Sequence, residues 1–550
     1  MIGKHFAVAA ALILCTIHTA ASASEADSQI RVSNIRAHLE FLADDLLEGR
    51  EAGTRGYDIA AKYVASNFAQ LGLKPAGDSG YFQQVPLRRS LLVPNSVSLQ
   101  VTATDSKQSV TFTDADHVAA RPSTTAIDQS ISGDCVFAGF GIVSPAHKRD
   151  DYAGLDVRGK FVVLLGGPPP GLPSEVAGHL GSPDEQRARA AERGALGTFI
   201  VYTPAMETRW PFERLAPFYL QPVIEWIDTT IPEPAGRQLR VSAMVDATAA
   251  AAMFEGAPRT YADVLQEASA GSPKGFALKT RATFARKSEH SQAVSANVAA
   301  MLPGTDPALA NEVIVFTSHL DHEGIGQPVN GDSIYNGALD NAVGIASMLE
   351  VARVLSTQPQ RLRRSVLFLA LTAEEKGLVG SDYFANKPTI ARERMVGVVN
   401  LDGAMPFYDL VDVIGYGAGS STLGDTLKTA ASSLGISVSP DLAPEQAYFT
   451  RSDHYPFVRQ GIPGIFLIAG DAPTPDGKDA RQINRQWAEQ HLHQPSDDLN
   501  QTFNDGHLLK WAELFRRWTF EAANDSERPL WYGDDYFGAR FAPDAPKKPR

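Results

Sequence analysis

From Ala296 to about Ala523 the chain alternates short apolar, β-branched runs with stretches of helical spacing, and this alternation constrains its fold most. Val313-Ile314-Val315-Phe316, Val366-Leu367-Phe368-Leu369, Val396-Gly397-Val398-Val399 and Ile465-Phe466-Leu467-Ile468 read as strands. Their continuous apolar character predicts burial on both faces, as in a sheet covered by helices. Between the first two runs, Ala342 to Leu355 keeps the 3.6-residue apolar period of a helix. The predicted class is α/β, a mixed, mostly parallel sheet with helices on it.

The residues just beyond each strand carry the chemistry. The first strand runs into Thr317-Ser318-His319-Leu320-Asp321-His322, and the loop Asn330 to Gly337 then delivers Asp340 to the start of a helix. The second ends in Ala373-Glu374-Glu375-Lys376-Gly377 and the third in Asn400-Leu401-Asp402-Gly403. The loop after the last carries His491-Leu492-His493-Gln494-Pro495-Ser496-Asp497. Ligands of open α/β sheets bind beyond the carboxyl ends of strands, so two imidazoles and at least three carboxylates are expected to converge at one edge. A lone strand-end Asp is more often a helix cap and a lone loop His more often solvated; the joint pattern points to metal. A mixture of His and carboxylate suits zinc. Five ligands exceed what one tetrahedral ion with an open position needs. One carboxylate bridging two ions, each with its own imidazole and carboxylate, uses all five. Two metals about 3.5–4 Å apart can jointly polarise a carbonyl and activate the attacking water. Glu374, next to Glu375 but directed the other way at a strand end, is then left as a base.

The remaining chain is less explicit. Ile35 to Leu73 reads as two helices around the Gly-rich turn Glu48 to Gly53, and Tyr81 to Thr280 as short strands and turns forming a separate α+β module. Gly166 to Pro170 reads as a plain loop, since no Gly-Lys-Ser/Thr follows it. Arg361 to Arg364 reads as a solvated loop, and the tail after Glu527 as irregular. Lys4, the apolar run Phe6 to Ile17 and Ala21-Ser22-Ala23 fit a cleaved secretory signal, whose apolar part is too short to span a bilayer. An exported, periplasmic or extracellular protein with no stable membrane anchor is expected. Cleavage would leave Cys135 as the single thiol, expected to be a buried small apolar residue, with no internal disulfide to help stability. A formal net charge of -13 argues against a nucleic-acid partner, which would call for a basic face.

Several stretches resemble the double-zinc aminopeptidases, family twenty-eight of the metallopeptidases. They are Ser318 to His322, Gly337 to Gly344, Ala373 to Ser381, Asn400 to Gly403, Ser452-Asp453-His454 with Gly461-Ile462-Pro463, and His493 to Asp497. The resemblance implies a di-zinc exopeptidase acting on peptide or protein N-termini. It implies that His319 and Asp402 bind one zinc, Glu375 and His493 the second, and that Asp340 bridges them. Glu374 would be general base and then acid, and Asp321 would orient His319. His491 and His322 compete with His493 and His319. The family's His lies a few residues before an Asp, which favours His493, and Asp321 takes its usual place if His319 is the ligand. The Asp340-Asn341 peptide is a candidate for the cis bond seen in relatives.

Gly139 to Ile142, Asp151 to Val163 and Ala190 to Gly197 resemble a protease-associated domain inserted into the peptidase domain. The implied organisation is a signal peptide at 1–23, the start of the peptidase domain at 24–80, the insert at 81–285, the rest of the zinc peptidase domain at 286–525 and an irregular tail at 526–550. A carboxypeptidase on the same scaffold, with Arg451 or Arg459 binding a terminal carboxylate, a glutaminyl cyclase and a metal-free receptor-like protein are the alternatives. The sequence leaves the preferred N-terminal residue and the oligomeric state open.

Overall fold

The four apolar runs form the parallel centre of one sheet. Val313–His319 lies between Ser365–Leu371 and Met395–Leu401, and Gly464–Ala469 follows beyond the latter. Antiparallel strands flank this centre, Phe276–Leu302 beside Ser365–Leu371 and Asp412–Tyr416 beside Gly464–Ala469. This computed structural model describes residues 29–550 apart from 114–116, 210, 220, 272, 359 and 444–445; the expected signal peptide, 1–23, lies outside the described residues.

Side chains alternate across the pleat, and both faces are covered. Ile314, Phe316, Val366 and Phe368 pack with the helices Val32–Leu42, Arg55–Gln70, Val343–Thr357 and Asp505–Asn524. Val313, Val315, Leu367 and Leu369 meet Phe384 of Val379–Asn386 and Phe457 of His454–Arg459. That is why the three central strands are buried along their whole length. Arg55–Gln70 starts where the Thr54 hydroxyl accepts the Tyr57 N–H, and it buries Tyr57, Ala60, Ala61, Val64 and Phe68 on one stripe.

A second sheet has its own core around Phe137, Phe161, Phe199 and Phe284. Its strands include Ser98–Ala103, Asp128–Phe137, Phe161–Leu165, Gly197–Val201 and Val241–Val245. The two sheets share the 27-residue strand Phe276–Leu302. Its residues up to Lys287 pair with Ser98–Ala103 and Asp128–Phe137, and those from Ser288 onward with Phe82–Leu92 and Ser365–Leu371. The boundary expected at 285/286 therefore falls inside one strand. Phe82–Leu92, assigned to the insert, pairs with the first sheet instead; strand periodicity says which face is buried but not which sheet a strand joins. A contact from the helix Ser174–Gly181 binds the two bodies further: the Gly417 N–H donates to Glu175 Oε1 at 2.7 Å.

Two other expectations are corrected. Arg364 is fully buried, not solvated: its Nε donates to Glu312 Oε2 at 2.7 Å, and Nη1 to the Asp525 carbonyl at 2.5 Å. The tail is ordered by packing. Trp531–Tyr532 pairs with Lys547–Lys548 around the helix Tyr536–Phe541, and Trp531 and Phe537 enter the second core. Buried aromatics explain why a Pro- and Asp-rich segment holds its place. Cys135 is buried, as expected, and burial pushes its thiol up to about 12.

Trp531 also donates from Nε1 to the Gly461 carbonyl at 2.8 Å. Trp531→Ala should therefore lower stability by about 3–5 kcal/mol, measured as a shifted denaturation midpoint; a loss below about 1 kcal/mol would mean that the tail is dispensable.

Candidate metal centre

The parallel strands end side by side, so the residues after them share one edge of the sheet. His319 is the last residue of Val313–His319, Asp402 follows Met395–Leu401, and Glu374 and Glu375 come three and four residues after Leu371. Asp340 lies in the irregular turn before Val343–Thr357, where the Asp340–Asn341 peptide is cis. Gly337 opens that turn with φ 58°, and a Cβ there would collide with the His322 ring and the Asp340 carbonyl. His493 stands in a left-handed position after the helix Ala480–Gln490.

The donor atoms fall into two sets that share Asp340. His319 Nε2 is 3.0 Å from Asp402 Oδ1 and 3.2 Å from Asp340 Oδ1. His493 Nε2 is 3.2 Å from Asp340 Oδ2 and 3.2 Å from Glu375 Oε2. Each imidazole nitrogen thus faces two carboxylate oxygens, and each oxygen of Asp340 faces a different imidazole. Donors about 2.0–2.2 Å from a tetrahedral zinc stand about 3.3–3.6 Å from one another. Opening the His319 set by a few tenths of an ångström would fit it to a zinc ion, and His493 Nε2 faces one oxygen each of Asp340 and Glu375, donors of the types that zinc takes. Glu374 lies near His319 and Glu375 but outside these contacts. His491 hydrogen-bonds Ser496 at 2.9 Å. His322 joins the cluster differently, with Nδ1 2.7 Å from Glu375 Oε1.

Neighbouring groups fix the donors. Asn341 donates from Nδ2 to Ser318 Oγ at 3.0 Å and to the Leu401 carbonyl at 3.1 Å, and its Oδ1 accepts the Gly403 N–H at 2.9 Å. One side chain thereby stitches together the ends of the strands that carry His319 and Asp402. Asp497 accepts the Leu339 and Asp340 N–H groups at 2.9 and 3.0 Å, which ties the His493 loop to Asp340. Ser452 donates to Asp402 Oδ2 at 2.5 Å. Asp321 accepts the Glu374 N–H at 3.0 Å and the Glu375 N–H at 3.4 Å, while its backbone oxygen lies 3.2 Å from His319 Nδ1. Its carboxylate is 4.0 Å from that nitrogen, so the group expected to orient His319 also holds the Glu374–Glu375 backbone.

Electrostatics separates the carboxylates. Burial opposes charge on Asp340, Glu374 and Glu375. Two imidazoles overcome it at Asp340 and Glu375, which lie well below the usual carboxylate range. Glu374 goes the other way: burial and its neighbours Asp402, Glu375 and Asp453 push it well above that range, against the pull of His319. Burial works against the His319 and His493 imidazolium forms too, but the surrounding carboxylates hold both well above the ordinary value.

The sequence reading gave Asn341, Ser452 and Asp497 no individual role, although each lies in a stretch it singled out. Their work is hydrogen bonding to backbone or to a ligand carboxylate, which residue type alone does not announce. Asn341→Ala should cost roughly 2–4 kcal/mol by leaving buried partners unsatisfied, read from chemical denaturation of the metal-free chain. An unchanged midpoint would show that the strand ends hold their spacing without it.

Residues 297–519 match the model of Peptidase family M28. Leupeptin-inactivating enzyme 1 of Streptomyces exfoliatus is 30% identical over 241 residues, 42% of this chain and 50% of that protein. Aminopeptidase YwaD of Bacillus subtilis (strain 168) is 27% identical over 202 residues, 35% of this chain and 39% of that protein. The chain thus spans half or less of the length of these curated relatives. Among solved structures, the aminopeptidase from Aneurinibacillus sp. strain AM-1 aligns over 91% of this chain and 96% of its own, at 20% identity and a TM-score of 0.51, a likeness of fold.

Proposed function

Since residues 297–519 belong to Peptidase family M28, we propose that this chain is a zinc-dependent exopeptidase that removes N-terminal residues from peptides, with two zinc ions per chain. The observation that carries the reading is Asp340, whose two oxygens each face a different imidazole, each imidazole facing one further carboxylate. His319 and Asp402 would hold one ion, His493 and Glu375 the other, and Asp340 would bridge them. Bound zinc supplies Lewis acidity toward the scissile carbonyl and makes the attacking water more acidic.

The chain's own residues do the rest. Glu374 is assigned to neither ligand set; with zinc balancing the carboxylates that hold its proton on in the metal-free chain, it would take the proton of the attacking water and return it to the leaving nitrogen. Asp321 steadies Glu374 through its backbone N–H and stands behind the ring of His319. The carboxylates give the cleft the negative potential that a substrate's terminal ammonium needs. The arginines named for the carboxypeptidase alternative do not converge: Arg459 lies 3.8 Å from Glu185, and Arg451 stacks over the Tyr448 ring. That supports recognition of the amino end.

Residues 1–23 would export the chain to the periplasm or the extracellular space, and among the described residues no helix is long and apolar enough to cross a membrane. The second sheet would be a protease-associated insert.

Purified protein should bind two zinc ions, and a chelator should abolish hydrolysis reversibly; full activity after chelation would sink the reading. Glu374→Gln should keep both ions while turnover falls by about 10²–10⁴-fold, whereas Glu375→Gln should lose metal. Equal metal loss in both variants would show that the division of roles is wrong.

N-acetylation of a good peptide substrate should abolish cleavage, and amidation of its C-terminus should leave the rate nearly unchanged. The reverse pattern, followed by liquid chromatography of the products, would assign a carboxypeptidase; indifference to both would indicate an endopeptidase.

A further inference from the structure

Beneath the donor cluster lies a buried cation that the proposed chemistry does not use. Glu48, Gly49 and Arg50 are all left-handed, with φ of 51°, 66° and 53°, and this turn sends the Arg50 side chain inward, where it is fully buried. A Cβ at Gly49 would collide with the carbonyl oxygens of Gly324 and Tyr335, so the turn is shaped against the segment between His322 and Asp340. Arg50 Nε donates to the Leu320 carbonyl at 2.9 Å, Nη1 to the Asn336 carbonyl at 2.6 Å and to that of Leu42, and Nη2 to the Gly337 carbonyl at 3.0 Å. The His322 N–H returns a bond to the Arg50 carbonyl at 3.3 Å.

These acceptors sit at telling places. Leu320 separates His319 from Asp321, and Asn336 and Gly337 lead into the turn that presents Asp340. Two separate segments that carry donors of the cluster are thus pinned to one planar group. All four acceptors are neutral, so the charge is not used up in a direct pair. Its counter-charges are the carboxylates around it, Asp321, Asp497, Asp340 and Glu375. Burial lowers Arg50 to about 10, against their pull, and it stays charged at neutral pH.

We propose that Arg50 is a positioning residue that keeps the donor cluster assembled before metal enters, by pinning both loops and by balancing the buried carboxylate charge. The proposal rests on the metal reading above. The gathered carboxylates outnumber the two imidazoles among them and still repel one another, and a further fixed positive charge beside them offsets that cost. Once zinc is bound, its own charge takes over the task. Arg50 therefore contributes more to the metal-free chain than to the loaded one, whereas a residue that merely held carbonyls would contribute equally to both.

The test melts the full chain, stripped of metal and reloaded with zinc, as wild type, Arg50→Met, Arg50→Lys and Arg50→Met combined with Asp497→Asn, alongside Asp497→Asn alone. Arg50→Met should lower the melting temperature of the metal-free chain by at least about 5 °C more than that of the zinc-loaded chain. Arg50→Lys, which keeps the charge but loses the fork, should recover much of that difference. In the metal-free chain the double variant should lose less than the sum of the single losses, because one of the stranded carboxylates is gone. Equal losses with and without zinc, strict additivity, or a Lys variant no better than Met would overturn the proposal. If Arg50→Met folds in neither state, Arg50→Gln, which drops the charge but keeps an amide donor for the carbonyls, decides: its loss must shrink on zinc loading, and an unchanged loss is a refutation. A wild-type chain that takes up no zinc sinks the metal reading by itself. The coupling to Asp497, measured without zinc on Arg50→Met or, where that fails to fold, on the charge-free Arg50→Gln, then still decides the role of Arg50.

Discussion

Asp340, Glu374, Glu375 and Asp402 meet within a few ångströms of two imidazoles, in a place where water screens them little. The carboxylates outnumber the imidazoles, and like charges held this close push the loops apart; the surrounding architecture answers that constraint. Asp497 and Asp321 accept backbone N–H groups of Leu339, Asp340, Glu374 and Glu375, so the loops are clamped through their main chains. The carboxylate and imidazole side chains are left free to face inward. Asn341 does the same for the ends of two strands without adding charge. The cluster is therefore as much a construction of hydrogen-bonded backbone as of ligands.

Burial of the central strands makes this rigid. Residues at the end of a strand covered on both faces inherit the register of the whole sheet, so His319 and Asp402 are spaced by ladder geometry. The donors supplied by loops, Asp340 and His493, are the ones that Asp497 links together. The second body grips the first from outside, through Glu175 of the helix Ser174–Gly181 on the Gly417 N–H just after Asp412–Tyr416.

How much of this was legible depended on the kind of physics involved. Continuous apolar runs gave the central strands, and strand-end position brought forward the residues whose donor atoms the fold gathers. Hidden from that reading were features decided by long-range pairing or by backbone acceptors. Phe82–Leu92 looks like any half-buried strand, and only its partner shows which sheet it completes. Arg364 looks like part of a solvated basic run, yet Glu312 and carbonyls at the end of the Asp505–Asn524 helix hold it in the core. The tail has a loop-like composition, but two aromatic side chains anchor it.

The strand Phe276–Leu302 also governs the order in which a growing chain can be completed. The helices Val32–Leu42 and Arg55–Gln70 leave the ribosome early, but their apolar faces find partners such as Val298, Ala300 and Ile314. Phe82–Leu92 has to wait some two hundred residues for the strand that it pairs with. Such distant closures make folding slow, because the entropy of closing the loop is spent before any contact rewards it. The segment from Val32 to Leu92 must therefore remain without its sheet partners until about half of the chain has been made, a state hazardous to any chain kept waiting among its own copies.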